Sequence, residues 1–97
     1  IRMGVNLMDN KDLKKFIINF IKTKEEESIN KEYIEYSYYE LKVKANLTEE
    51  EIDELLRVSR DYFQNKNYNV YFTNAEFEYC GQRKKVEPND YMIAVKQ

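Results

Sequence analysis

Apolar positions in the first third of the chain follow the period of a helix. Leu13, Phe16, Ile17, Phe20 and Ile21 stand at i, i+3, i+4, i+7 and i+8, which predicts one helix over about Lys11 to Lys24. Asp9 or Asn10 can cap it, and its outer face carries Lys11, Lys14, Lys15 and Lys22. The run Glu25-Glu26-Glu27-Ser28 breaks the period and reads as a solvated loop. Residues Glu32 to Tyr36 are rich in tyrosine and precede a cap, so they read as a short strand.

Two capping boxes then follow, Ser37-Tyr38-Tyr39-Glu40 and Thr48-Glu49-Glu50-Glu51. In each, a hydroxyl caps the third amide of a new helix while a glutamate reaches back to the cap's own amide. Each box carries an apolar staple, Tyr36 with Leu41 and Leu47 with Ile52. A short second helix is predicted over Tyr38 to Ala45, with Tyr38, Leu41 and Ala45 inward. Asn46-Leu47 makes the turn. A third helix runs from Glu49 to about Asn65, with Ile52, Leu55, Leu56, Tyr62 and Phe63 on one face. Asn65 and Asn67 suit a left-handed C-terminal cap.

Beyond this point the period changes to two. Tyr68, Val70 and Phe72 alternate with Asn69, Tyr71 and Thr73, and Phe77 and Tyr79 alternate with Glu76 and Glu78. Cys80-Gly81-Gln82-Arg83 reads as a turn, Pro88-Asn89-Asp90 as a second, and Tyr91 to Lys96 as the last strand. The order is helix, strand, helix, helix, strand, hairpin, strand. From Leu13 to Lys96 this order, with its two capped helices, resembles the winged helix-turn-helix family. The resemblance implies an α+β fold of three helices and a small antiparallel sheet. It also implies double-stranded DNA as partner, a third helix in the major groove and a wing hairpin on an adjacent groove or backbone.

Length allows one domain, taken as residues 8–97 of the 97. Ile1-Arg2-Met3 lack a start methionine and read as a cloning remnant. Met3 or Met8 is the expected native start, and residues 1–7 are excluded from the fold as remnant or disordered tail. Aromatics at 14% and hydrophobics at 42% suffice for a core despite 35% charge. The single cysteine, Cys80, cannot form an internal disulfide, which fits a reducing cytoplasm. No apolar run approaches the ~20 residues that span a bilayer, and no signal peptide is visible. Net charge is −2 at pI near 5.3, mildly against a nucleic-acid binder, so the distribution of charge matters more than its sum.

Catalysis finds little support. Histidine is absent, one cysteine has no base beside it, and Gly4 and Gly81 are too few for a phosphate loop. An enzyme would need a metal held by carboxylates alone, and no spacing demands one. Neither a cofactor nor a small-molecule substrate is expected. Glu49, Glu50, Glu51, Asp53 and Glu54 crowd the start of the third helix, where they complement its dipole. Cys80 reads as a bystander, with a redox switch as the alternative. The tyrosines serve core or dimer packing, or stack on bases.

The clearest functional feature is Gln82-Arg83-Lys84-Lys85, placed at the hairpin tip. Three adjacent cations on a turn cannot all pair locally. They either blunt a strand edge or grip phosphates, with Gln82 or Arg83 near base edges or in the minor groove. The acidic start of the third helix repels phosphates. Its middle, Arg57, Ser59, Arg60, Gln64 and Lys66, suits backbone contacts better, and Lys42 and Lys44 add phosphate contacts or remain solvated. An acidic third helix beside a basic wing in a small protein is similar to the winged-helix accessory proteins of clostridial conjugative plasmids. That resemblance implies a cytoplasmic homodimer that binds the origin of transfer mainly through its wings, together with other DNA-processing proteins of the relaxosome. The alternative is a protein-interaction module that uses Glu49 to Glu54, either as a DNA mimic or as a regulator from a mobile element. Ile18, off the main stripe of the first helix, is the candidate dimer contact.

Overall fold

The computed structural model describes residues 9–97, so the assignments for residues 1–7 and for Met8 lie outside the described residues. Helix α1 spans Asn10–Glu27, capped by the Asp9 carboxylate, which accepts from the Asp12 amide at 2.9 Å. Ile17 and Ile21 are buried, with Leu13, Phe16 and Phe20 packed at the margin. The helix runs one turn further than its periodicity suggests. Glu25 to Glu27 are helical and not a solvated loop, and Ser28 closes the turn by donating to the Lys24 and Glu25 carbonyls. Bonds to the other helix hold this turn. The Glu25 carboxylate accepts from Tyr62 Oη at 2.7 Å and Lys66 Nζ at 3.0 Å. Partial burial raises the Glu25 pKa, but the bonds from Tyr62 and Lys66 outweigh it and hold the carboxyl below its ordinary range.

Strand β1 (Tyr33–Ser37) leads into the short segment π1 (Tyr39–Lys44), then helix α2 (Glu49–Asn65). Both capping boxes form. Ser37 Oγ accepts from the Glu40 amide at 3.1 Å while Glu40 accepts from the Ser37 amide at 3.2 Å. Thr48 and Glu51 reciprocate at 3.2 and 2.9 Å. All four staple residues are buried in one cluster. The second predicted helix is corrected in kind. It is a single wide π turn, with Ala45 N donating to Glu40 O five residues back. The wider ring turns Tyr38 outward to 50% exposure, whereas Leu41 stays inward at 0%. At the end of α2, Asn67 adopts the left-handed conformation (φ 68°) while Asn65 remains helical.

Strands β2 (Tyr68–Phe72), β3 (Glu76–Tyr79), β4 (Gln82–Lys85) and β5 (Asp90–Lys96) complete the chain. The three-stranded antiparallel sheet has the order β1-β5-β2, and among the described residues β3 pairs only with β4. The fold is thus α+β. The run Met92-Ile93-Ala94-Val95 is buried throughout because β5 is covered on both faces. Met92 and Ala94 join Ile34, Tyr36, Leu41, Ile52, Leu55 and Phe63 in the core under the helices. Ile93 and Val95 join Val86 in a second, smaller core, against Tyr71, Phe77 and Tyr79.

A bulge makes this division possible. Tyr36 opposes Met92 and Ser37 opposes Asp90, so Tyr91 is the extra residue. A bulge re-aims side chains. Tyr91 turns to the helix side, where it stacks on Tyr38 with centroids 6.0 Å apart. Asp90 falls on the opposite face.

Candidate nucleic-acid interface

Cys80 (φ 52°) and Gly81 (φ 77°) form a two-residue turn with both residues left-handed, the type that matches strand twist. The four-residue turn read from the sequence is therefore corrected. Gln82 and Arg83 belong to strand β4, with Tyr79 opposite Gln82, Glu78 opposite Arg83, Phe77 opposite Lys84 and Glu76 opposite Lys85. All four β4 residues are exposed. Among the described residues β4 pairs only with β3, so its outer edge presents backbone groups that no described strand pairs, alongside the Arg83, Lys84 and Lys85 side chains.

The hairpin does not project from the sheet. It folds back along the face opposite the helices. Phe77 stacks on Tyr71 at 4.7 Å, and Tyr79 Oη donates to the Glu32 carboxylate beyond the far end of β1. The root is fixed by the Asn74 amide on Val86 O (3.2 Å), the Val86 amide on Ala75 O (2.9 Å) and Thr73 Oγ1 on Asp90 O (2.6 Å). A cleft of about 350 Å³ remains between hairpin and sheet, lined in part by Tyr33, Glu35, Lys84, Ile93 and Asp90. Asp90 is 8% exposed. Its carboxyl is pushed up to about 6 by burial first, then by the charge and hydrogen bond of Glu35 and the charges of Glu87 and Glu40.

Cross-strand partners share a face, which decides how the cations stand. Arg83 and Lys85 lie on the outward face with Glu78 and Glu76, and Arg83 bonds Glu76 at 3.1 Å. Of the three adjacent cations, Arg83 alone is paired locally among the described residues. Its pair is exposed on both sides (77% and 58%), the situation in which an ion pair is worth ~0–1 kcal/mol. Lys84 and Lys85 make no ion pair among the described residues.

The other predicted site residues do not join this surface. Lys42 and Lys44 sit on π1, where Lys42 faces Glu49 at 3.7 Å and Lys44 is exposed. On α2, Arg57 bonds Glu54 (2.7 Å) with Asp61 at 3.9 Å, and Arg60 bonds Asp61 (3.1 Å). Helix α2 packs on the helix side of β2 and β5 while the hairpin covers the other side, so the sheet separates the two basic groups. Ser59 is corrected outright. It is fully buried and accepts a 2.8 Å bond from Tyr36 Oη. Lys66 is held by Glu25 and lies 4.8 Å from the Tyr62 ring.

Sequence reading also missed a buried charge. Lys24, 8% exposed, bonds both oxygens of Glu40 at 2.8–2.9 Å and ties α1 to π1. Its position on the inward stripe, three residues past Ile21, was the available signal. Among the described residues no group of carboxylates and thiols is arranged to hold a metal, and no helix is long and apolar enough to cross a membrane. Comparison of the chain with protein-family models, with curated proteins and with solved structures finds no match.

Proposed function

We propose that this protein is a winged helix-turn-helix protein that binds double-stranded DNA through the β3–β4 hairpin. The observation that carries the reading is the exposed basic edge strand Gln82–Lys85, set on a hairpin whose other face is packed against the sheet. Strand order β1-β5-β2 after the helix–strand–helix–helix sequence supports the fold assignment. A two-stranded ribbon fits the major groove, and its rigid seat means that little ordering is needed on binding. Arg83 and Lys85 grip phosphates from the outward face, with the weak Arg83–Glu76 pair exchanging for one. The exposed Lys84 and Gln82, on the side of Phe77 and Tyr79, reach the duplex around the outer strand edge, Lys84 toward phosphate and Gln82 toward base edges. The α2 start, Glu49 to Glu54, stays away from the duplex. Arg57 and Arg60 are satisfied by their own carboxylates and contribute little. Lys42 faces Glu49 and Lys44 lies with it across the sheet from the hairpin, so neither takes part in this contact.

On this reading the chain has no catalytic role and belongs beside TcpK, the origin-of-transfer-binding accessory of clostridial conjugative plasmids, acting as a homodimer in relaxosome assembly. Fluorescence anisotropy with a duplex from the flanking locus, against a scrambled duplex over a salt series, tests it. Replacing Arg83 and Lys84 with alanine should weaken binding and reduce the slope of log K against log salt by about 1.8. Equal binding by wild type and variant would refute the hairpin assignment.

A further inference from the structure

We infer that the surface formed by π1 and the first turn of α2 docks a basic segment of a partner protein, one that presents apolar anchors between lysines and arginines. The surface lies on the helix side of the sheet, so the inference stands whether or not the hairpin binds DNA. Its apolar part is the unpartnered face of π1. Tyr39 is 62% exposed and Val43 58%, one turn apart, and Tyr38 at 50% stacks on Tyr91 beside them. These side chains are exposed without need. Leu41 alone supplies the buried anchor of π1, and polar residues at 39 and 43 would leave the core unchanged.

Charge favours a basic occupant, since Glu49, Glu50 and Asp53 outnumber Lys42 and the exposed Lys44 on this surface. The apolar face adjoins the start of α2, where Glu49 faces Lys42 across the gap at 3.7 Å. Glu54 is taken by Arg57, but Glu50 and Asp53 are exposed and make no ion pair among the described residues. Burial first, and then the charges of Glu49, Tyr38 and Asp53, push the Tyr91 phenol up, so those carboxylates act on the aromatic pair. Carboxylates flanking tyrosine faces suit a cation that takes a hydrogen-bonded charge on one side and a ring on the other. The same charges repel phosphates, so nucleic acid is a poor occupant. An apolar centre with a charged rim is the usual anatomy of a protein interface.

The test uses the full chain, isotope-labelled, with a short amphipathic peptide of leucine, lysine and arginine as probe. A control peptide carries glutamate at each cation. The basic probe should shift amide resonances of Tyr38 to Val43, Glu49 to Glu54 and Tyr91, and the acidic one should not. Tyr39→Ser with Val43→Ser should weaken binding about tenfold, as expected for loss of two partly buried apolar contacts. Glu50→Lys with Asp53→Lys should weaken it at least as much, whereas Glu26→Lys with Glu78→Lys, an equal charge change elsewhere, should have less than a twofold effect. If a double variant loses its dispersed spectrum, the singles Val43→Ser and Asp53→Lys serve instead. Equal losses at the control positions would reduce the effect to bulk electrostatics and overturn the inference. So would unchanged affinity in the apolar variant, or the same resonances shifting with duplex DNA. Sedimentation of the apolar variant as a monomer where wild type is a dimer would assign the face to a second copy and overturn it as well.

Discussion

Asp90 should cost this protein stability at neutral pH, and asparagine there should relieve the cost. The bulge at Tyr91 sets the Asp90 carboxyl on the hairpin face of the sheet, nearly buried and hydrogen-bonded to Glu35. An aspartate moved from 3.8 to about 6 carries a penalty on its ionised form of about 3 kcal/mol, an upper figure because Glu35 is exposed and water screens part of the repulsion. The sign follows from proton linkage. Below 3.8 both folded and unfolded chains hold the proton and no penalty exists. Between 3.8 and about 6 only the folded state keeps it, so stability falls as pH rises, and above 6 the full cost remains. Glu25, Glu40 and Glu54 work in the opposite sense. Their carboxyls are held below 4.5, and the stability they contribute is lost only as pH falls below that value. The window in which Asp90 dominates is therefore about pH 4.5 to 6.5. Wild type should lose about 1–3 kcal/mol across it, read by urea unfolding with circular dichroism. Asp90→Asn keeps the shape, donates to Glu35 and cannot ionise. It should be more stable by about that amount at pH 7.5, with a flat profile through the window and a melting point higher by roughly 4–8 °C per kcal/mol. A variant less stable than wild type at pH 7.5, or a wild-type profile that rises through the window, would refute the reasoning.

Two stability predictions test the links between layers. Tyr36→Phe or Ser59→Ala should each cost about 1–3 kcal/mol in denaturant unfolding, because each strands a fully buried hydroxyl that now has a 2.8 Å partner. The double variant should cost less than the sum, and simple additivity would argue against that bond. Thr48→Ala should cost about 1 kcal/mol by opening one half of the second capping box, and no change would show that Glu51 alone holds the start of α2.

Much of the helical half was legible because its signals are local. Capping boxes, staples and the 3.6-residue stripe place α2 at Glu49–Asn65 and bury Ile52, Leu55 and Phe63, all as read from spacing. Errors arose where a distant partner decides. Glu25 to Glu27 read as loop because nothing nearby in sequence shows Tyr62 and Lys66 waiting for Glu25. Ser59 read as surface because a lone hydroxyl does not announce Tyr36. Tyr38 read as inward because helical spacing assumes four residues per bond where π1 uses five.

The candidate interface was legible as composition and hidden as geometry. Three cations in a row are visible in any reading, but their placement depends on which residues form the turn. Cys80-Gly81 takes the turn alone, which draws Gln82 and Arg83 into the strand and sets Arg83 against Glu76 and Glu78. The hairpin's return across the sheet was in fact encoded. Met92-Ile93-Ala94-Val95 has no polar alternation, and an antiparallel strand with a solvated face would need it. Something apolar must cover the second face, and among the described residues Tyr71, Ala75, Phe77, Tyr79 and Val86 pack against it. Covering that face with the hairpin turns its polar side outward and fixes the basic edge strand to a rigid support. The same residues that keep Ile93 and Val95 dry therefore determine where Arg83, Lys84 and Lys85 can meet a phosphate.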